Sequence, residues 1–374
     1  MSVRSVGVEE ELLLVEPGTG QPRSVAGTVL QAAAGPDRET NPGAPGQDAA
    51  EVLELELQQQ QLETRTEPCH ALEELGGELR RCRAAAVSAA GRAGVQVAAL
   101  ATSPVPVEPR VVDNSRYQKM AEAYGLTAHE QLTCGCHVHV EICSADEGVA
   151  VLDRIGPWLA ILLALSANSP FWQGTDSAYA SFRYQAWGRW PSSGPTPMFG
   201  TAPAYQEVVQ QMVRTGTLLD TGMIYFDARL SEHYPTVEIR IADVCLLTDD
   251  AVLIAALARA LVETEARAWR EGRAAGHARP ELLRLAAWRA SRSGLDDTLL
   301  NPVTGLPEEA VAVVHMLLDH VGDALSEAGD SAAVTELLAA VLARGNGAVF
   351  QRAAYRCSSH LSDVVSNAIT ATAR

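Results

Sequence analysis

The chain has 374 residues, 47% of them hydrophobic and 5% aromatic, enough apolar material for one large core or two fused ones. A formal charge of −17 and a pI near 5.0 argue against the clustered basic surface that a nucleic-acid partner requires. Lys119 is the only lysine, so any anion held by a fixed positive side chain falls to arginine.

No basic stretch leads into an apolar segment at the N-terminus, so no secretion signal is expected. The longest apolar run, PWLAILLALSA from Pro157, is shorter than the roughly 20 residues that a bilayer demands and reads as a core helix, with no membrane partner. Seven irregularly spaced cysteines make no disulfide framework, which fits a reducing cytoplasm.

In chain order, residues 3 to 16 predict a buried strand containing VGVEEELLLV. QAAAGPDRETNPGAPGQDAAE, from Gln31, predicts a loop able to cover a site. EVLELELQQQQLETRTEP alternates through Val52, Leu55 and Leu57, predicting one or two strands around a turn. Beyond Pro68 and Cys69, HALEELGGELRRCRAAAVSAAGRAG predicts a long helix closed by Gly94. VQVAALATSP and LTCGCHVHVEI predict two more strands, the second followed by a helix capped by Ser144 or Asp146. NSPFWQGTDSAYASFRYQAWGRWPSSGPTPMFG gathers Trp172, Trp187, Trp190, Arg183 and Arg189 and predicts an ordered loop with a short helix. TVEIRIADVCL is a strand leading into a helix, and from about residue 280 the pattern is helical, interrupted at NPVTGLP. Strands unevenly separated by helices favour an α+β fold over a regular βαβ repeat.

Alternation along a strand puts Glu9 and Glu11 on one face, and Glu10 on the other with Leu12 and Leu14. Two buried carboxylates on one face repel unless a positive group lies between them. The pattern therefore marks either a strand end in water or a divalent-cation site. Glu56 and Glu63 flank the glutamine run, so a turn there could bring both inward, or leave both in solvent. His137 and His139 alternate in CGCHVHVEI and share a face, as paired ligands or as structural histidines; C-x-C-H lacks the second ligand pair of a zinc site. Glu238 and Arg240 share a face of TVEIRIAD, where they either pair with each other or serve a metal and a phosphate.

Together GVEEELLLVEPGTGQP, LETRTEPC, CGCHVHVEI, NSPFWQGTDSAYASFRYQAWGRWP, TVEIRIADVCLLTDDAV, WRASRSGLDDTLLNPVTG and the terminal LSDVV resemble, in order, the glutamate–cysteine ligase type 2 family, or carboxylate–amine ligases. The likeness spans nearly the whole chain, and G-x-E-x-E, H-x-H and E-x-R look like the metal and phosphate strands of glutamine synthetase. It implies one catalytic domain over residues 1 to 374, with a curved, largely antiparallel sheet, helices packed on one side and a helical part from about residue 280. It implies ATP-dependent activation of the γ-carboxylate of glutamate and attack by the amine of cysteine or another amino acid, giving a γ-glutamyl amide. By motif position, Glu9, Glu11, Glu56, Glu63, His137 and Glu238 look like ligands of Mg²⁺ or Mn²⁺. Arg240 resembles a phosphate-binding arginine. Arg183, Arg189 and Arg292 look like residues that hold glutamate or the transferring phosphoryl group. A homodimer is also implied. Cys357 and Ser358 stand where arginine-rich sequence is more usual in the family, so contact between that stretch and substrate would change the acceptor.

Phosphoryl transfer between anions needs charge neutralisation and positioning, which metals and arginines supply. No G-x-x-x-x-G-K-[ST] occurs, and Lys119 lacks a glycine loop, so a P-loop is excluded. A metal-dependent amide hydrolase remains as an alternative, although its H-x-H usually lies early and is joined by a lysine and later histidines. A non-catalytic nucleotide- or amino-acid-binding descendant is the other.

Overall fold

The computed structural model describes residues 3–34, 52–276 and 278–374. Most of the Gly-, Pro- and Asp-rich stretch expected to cover a site, residues 35–51, lies outside the described residues. Its first residues instead end a helix, Ala26–Ala34, because the alanines there continue the helical register and bury Ala33.

The fold is α+β, built, among the described residues, on one seven-stranded sheet. Its strands are β1 (Val6–Val15), β2 (Leu53–Leu55), β3 (Gln61–Arg65), β4 (Gln96–Ala98), β5 (Cys136–Glu141), β8 (Ala228–Leu230) and β9 (Thr236–Ile239). Their order is β2-β3-β1-β5-β9-β8, with β4 paired to the end of β1, and every pairing is antiparallel. Two hairpins lie outside it: β6 (Phe171–Trp172) with β7 (Thr175–Asp176), and β10 (Thr298–Leu300) with β11 (Pro307–Glu309). NPVTGLP, read from sequence as an interruption, is the turn of the latter. The Asn301 side chain accepts from the amides of Val303 and Thr304, and Gly305 takes a φ of 70°.

Period-two alternation divides the sheet into two unlike faces. Val6, Val8, Val138, Val140, Val237 and Ile239 join a core with the helices Leu72–Arg92, Ala145–Ser166 and Thr248–Arg270. Ser144 caps the second helix by accepting from the Glu147 amide, and Gly94 closes the first at a φ of 75°. Ala145–Ser166, longer than its apolar run, and Ser331–Ser358 are each long and apolar enough to cross a membrane, but the former is mostly buried inside the protein.

Glu10 lies on this helix-covered face with no exposed surface. Arg83, from Leu72–Arg92, meets it in a two-pronged pair at 2.8 and 2.6 Å and donates its remaining N–H groups to the carbonyls of Leu246 and Cys245. The middle glutamate of the triplet is therefore neutralised by arginine, as buried charge requires. That leaves Glu9 and Glu11 on the other face.

Candidate active site

On that other face, register sets the chemistry. Glu9 lies opposite His137 across β1 and β5, while His139 lies opposite Glu238, which in turn lies opposite Arg229 on β8. Glu11 lies directly opposite Glu63 on β3. Like charges facing one another on neighbouring strands are destabilising by themselves, so this row needs a positive partner. Gly7, opposite His139, projects no side chain and leaves the face open at that end.

The rows converge into two clusters. Glu9, His137 and Glu238 each offer a ligand atom within 4.8 Å of the others, and so do Glu11, Glu56 and Glu63. Both clusters line a cavity of about 250 Å³, together with Arg229 and Arg240. Glu56 and Glu63 reach it because the glutamines make the turn between β2 and β3. The Gln58, Gln59 and Gln60 amides donate to the carbonyls of Ala128, Val111 and Glu108.

Burial, followed by the charge of Glu11, pushes Glu56 up to about 7, and burial with the charge of Glu9 drives Glu63 well above the ordinary range. Burial also works against ionised Glu9, but hydrogen bonds with His137 and His139 outweigh it and hold this carboxyl low. Glu238 is likewise held low against burial by Arg240 and Arg229. Burial and the nearby Arg240 charge lower His137, favouring the neutral imidazole that binds metals. Its Nδ1 lies 3.5 Å from Glu9 Oε2 and 3.4 Å from Arg240 Nη1. One cluster of three carboxylates, and another of two carboxylates with a neutral imidazole, fit a hard divalent cation.

Arg240 follows β9 directly. Its Nη1 donates to Glu238, while its buried Nε has no hydrogen-bond partner among the described residues. Arg229, which the sequence reading did not single out, donates to the same carboxylate at 2.7 and 3.2 Å. Its only sequence signal was its place in a segment able to pair with TVEIRIAD.

Arg183 lies behind the cavity floor rather than in its lining. Its Nη1 and Nη2 each sit 3.3 Å from a backbone carbonyl, those of Ile241 and Arg240, and Asp243 lies 3.8 Å away. A Cβ on Gly135 would stand 2.3 Å from Arg183 Nη2 and 3.0 Å from His137 Nε2, so the arginine reaches this place only because residue 135 is glycine. The Gly135 amide also donates to Glu11 Oε2 at 2.6 Å.

The structure does not bring Arg189 or Arg292 to the cavity. Arg189 pairs with Glu130 at 2.7 Å and lies 6.0 Å from the Trp172 ring. Arg292 is exposed, donates to the Ala178 carbonyl and lies 5.5 Å from the Tyr179 ring. Cys357 and Ser358 line a different surface groove, so their departure from the family pattern does not touch this cavity. Sequence reading missed Arg116, Tyr117 and Met120, which enter the lining from the helix Ser115–Tyr124, and Tyr225. A second cavity, of about 460 Å³, shares Glu9, His139 and Tyr234 with the first and extends past Gly7, Arg65, Thr66, Pro68 and Pro235.

Comparison with known proteins places this arrangement. The sequence model described as glutamate–cysteine ligase family 2 matches residues 5–357. A Streptomyces avermitilis protein provisionally named glutamate–cysteine ligase 2-1 is 55% identical, with 99% of each chain covered. A Streptomyces coelicolor protein provisionally named glutamate–cysteine ligase 2 is 52% identical at the same coverage. Among solved structures, the glutamate–cysteine ligase of Francisella tularensis in complex with AMP superposes with a TM-score of 0.71 at 13% identity, covering 100% of this chain and 89% of that one. That likeness establishes the glutamine-synthetase-like fold. The match over nearly the whole chain, joined to the acidic sheet face, shows that this protein belongs to glutamate–cysteine ligase family 2 and is an ATP-dependent ligase.

Proposed function

We propose that the enzyme joins the γ-carboxyl group of L-glutamate to the amine of an amino acid, converting ATP to ADP and phosphate through a γ-glutamyl phosphate. The observation that carries this reading is the pair of ligand clusters side by side on one sheet face, with Arg240 at their margin. Glu9, His137 and Glu238 would hold one Mg²⁺ or Mn²⁺, and Glu11, Glu56 and Glu63 a second. Such cations neutralise the phosphates and the donor carboxylate, so that two anions can approach.

The protein's own groups act around them. Arg240 keeps one edge on Glu238 and turns toward the transferring phosphoryl group, a task suited to a planar guanidinium. Arg183 adds a fixed positive charge beneath His137 and stays out of substrate contact. The second cavity suits the nucleoside, because it meets the first at Glu9 and His139 and would deliver the phosphates there. A γ-carboxylate oxygen attacks the γ-phosphorus, and ADP leaves. The neutral acceptor amine then attacks the acyl carbon and the C–O bond to phosphate breaks, so that phosphate leaves as hydrogen phosphate with the proton lost by nitrogen, and an amide forms.

Hydroxylamine tests this without an acceptor having to be known. Enzyme with ATP, Mg²⁺ and glutamate should yield γ-glutamyl hydroxamate and ADP in equal amounts. Glu11→Gln and Glu238→Gln should lose both products while remaining folded. Absence of hydroxamate from the wild-type enzyme with bound cation, or amide cleavage that needs no ATP, would defeat the proposal.

A further inference from the structure

The first cavity has a second character away from its carboxylates. Leu57, Tyr117, Met120, Trp187, Trp190 and Tyr225 contribute to its lining, and Met120 and Trp190 are each only 1% exposed. The rings brace one another: Trp187 and Tyr225 have centroids 4.8 Å apart, Trp190 and Tyr225 5.6 Å, and Tyr124 supports Trp190 from behind at 4.9 Å. Tilted and edge contacts of this kind make a preformed, largely apolar wall, in which the Trp190 indole Nε1 is buried with no hydrogen-bond partner among the described residues. It borders the second ligand cluster, since Tyr117 and Tyr225 line the same cavity as Glu11, Glu56 and Glu63, and Leu57 follows Glu56 directly in the chain.

We infer that this wall seats the side chain of the acceptor, and that the acceptor is an α-amino acid whose side chain is apolar and larger than that of cysteine. The inference rests on the ligase reading above. Glutamate has only two side-chain methylenes between polar groups and leaves most of such a wall uncovered. The nucleoside is assigned to the other cavity. Charge selects in the same direction. Of the cavity's arginines, Arg116 is engaged by Asp220 at 2.6 and 2.8 Å and Arg229 by Glu238, while Arg240 keeps one edge on Glu238 and, in the reading above, gives the other to the phosphoryl group. An acidic side chain would therefore meet no uncommitted arginine among the described lining residues. A basic one would place its charge beside the cation held by Glu56. An apolar side chain meets neither obstacle.

The test compares kcat/KM of the wild-type enzyme, with saturating ATP, Mg²⁺ and glutamate, for alanine, serine, cysteine, norvaline, leucine, methionine and phenylalanine. Hydroxylamine serves as an acceptor with no side chain. The expected series rises roughly tenfold for each added methylene that reaches the wall, with the best apolar acceptor at least about tenfold above cysteine. Trp187→Ala, or Met120→Ala should the first fail to fold, lowers kcat/KM for the large apolar acceptors by a greater factor than for hydroxylamine. If hydroxylamine gives hydroxamate but cysteine or serine exceeds every larger apolar acceptor in amide formation, or the series is flat, the inference is overturned and the ligase reading stands. No hydroxamate at all removes both.

Discussion

Replacing Glu63 with glutamine should have opposite effects without and with a divalent cation. Its carboxylate belongs to a cluster whose oxygens lie within 4.8 Å of one another. Two full charges at that separation, in an effective dielectric of about 20, repel by roughly 3.5 kcal/mol. Part of this is relieved by proton uptake, because Glu56 is raised to about 7 and Glu63 well above its ordinary value. The sign follows from those directions. A carboxyl group whose pKa is raised by folding contributes its full stability below the unfolded value of 4.5 and loses it as pH rises through the folded value. Metal-free wild-type protein should therefore lose stability from about pH 4.5 through pH 7 and above, with the depressed Glu9 and Glu238 acting oppositely as pH falls below about 4.5. In EDTA at about pH 8, Glu63→Gln should be more stable than wild type by about 1–2 kcal/mol, a Tm rise of a few degrees. With Mn²⁺ the order should invert, because the variant has lost a ligand and gains less from binding. Thermal unfolding across a Mn²⁺ titration at about pH 6 and about pH 8 reads both effects. A Glu63→Gln protein that is less stable in EDTA at the higher pH, yet responds to Mn²⁺ as wild type does, would show that no cation sits between these carboxylates.

Three further outcomes are expected. Arg240→Lys keeps the charge but not the forked geometry toward Glu238 and His137, so ADP release should fall by at least about 100-fold; a rate within about threefold of wild type would remove Arg240 from the reacting centre. Glu10→Ala leaves Arg83 buried without its carboxylate and should cost about 3–5 kcal/mol in urea denaturation, and a loss below about 1 kcal/mol would contradict the pairing as described. Arg189→Ala and Arg292→Ala, whose side chains stay outside the cavity, should keep kcat and KM within about threefold of wild type; a 100-fold loss in either would return that arginine to the site.

Local chemistry made the acidic face legible in the sequence. A strand alternates with period two, so Glu9 with Glu11, His137 with His139, and Glu238 with Arg240 could each be placed on one face without coordinates, as could the opposite orientation of Glu10. Charge raised the cation-binding reading, since like carboxylates on one face need a positive partner, and the family resemblance favoured it over a strand end in water. What lay beyond reach was everything set by distant parts of the chain. Glu10 meets Arg83 73 residues away, through a helix crossing behind the sheet. Glu11 faces Glu63, and Glu9 faces His137, only because strands far apart in sequence pair in one register. Arg183 and Arg189 lie one short helix apart and looked equivalent, yet the first turns past Gly135 to the carbonyls of Arg240 and Ile241 and the second leaves the cavity for Glu130. The aromatic wall is likewise assembled from Tyr117, Trp187 and Tyr225 on separate segments. Side-chain periodicity is a property of a few neighbouring residues, so sequence carries it openly; strand register and helix placement minimise the free energy of the whole packed chain, and only the tertiary structure decides them.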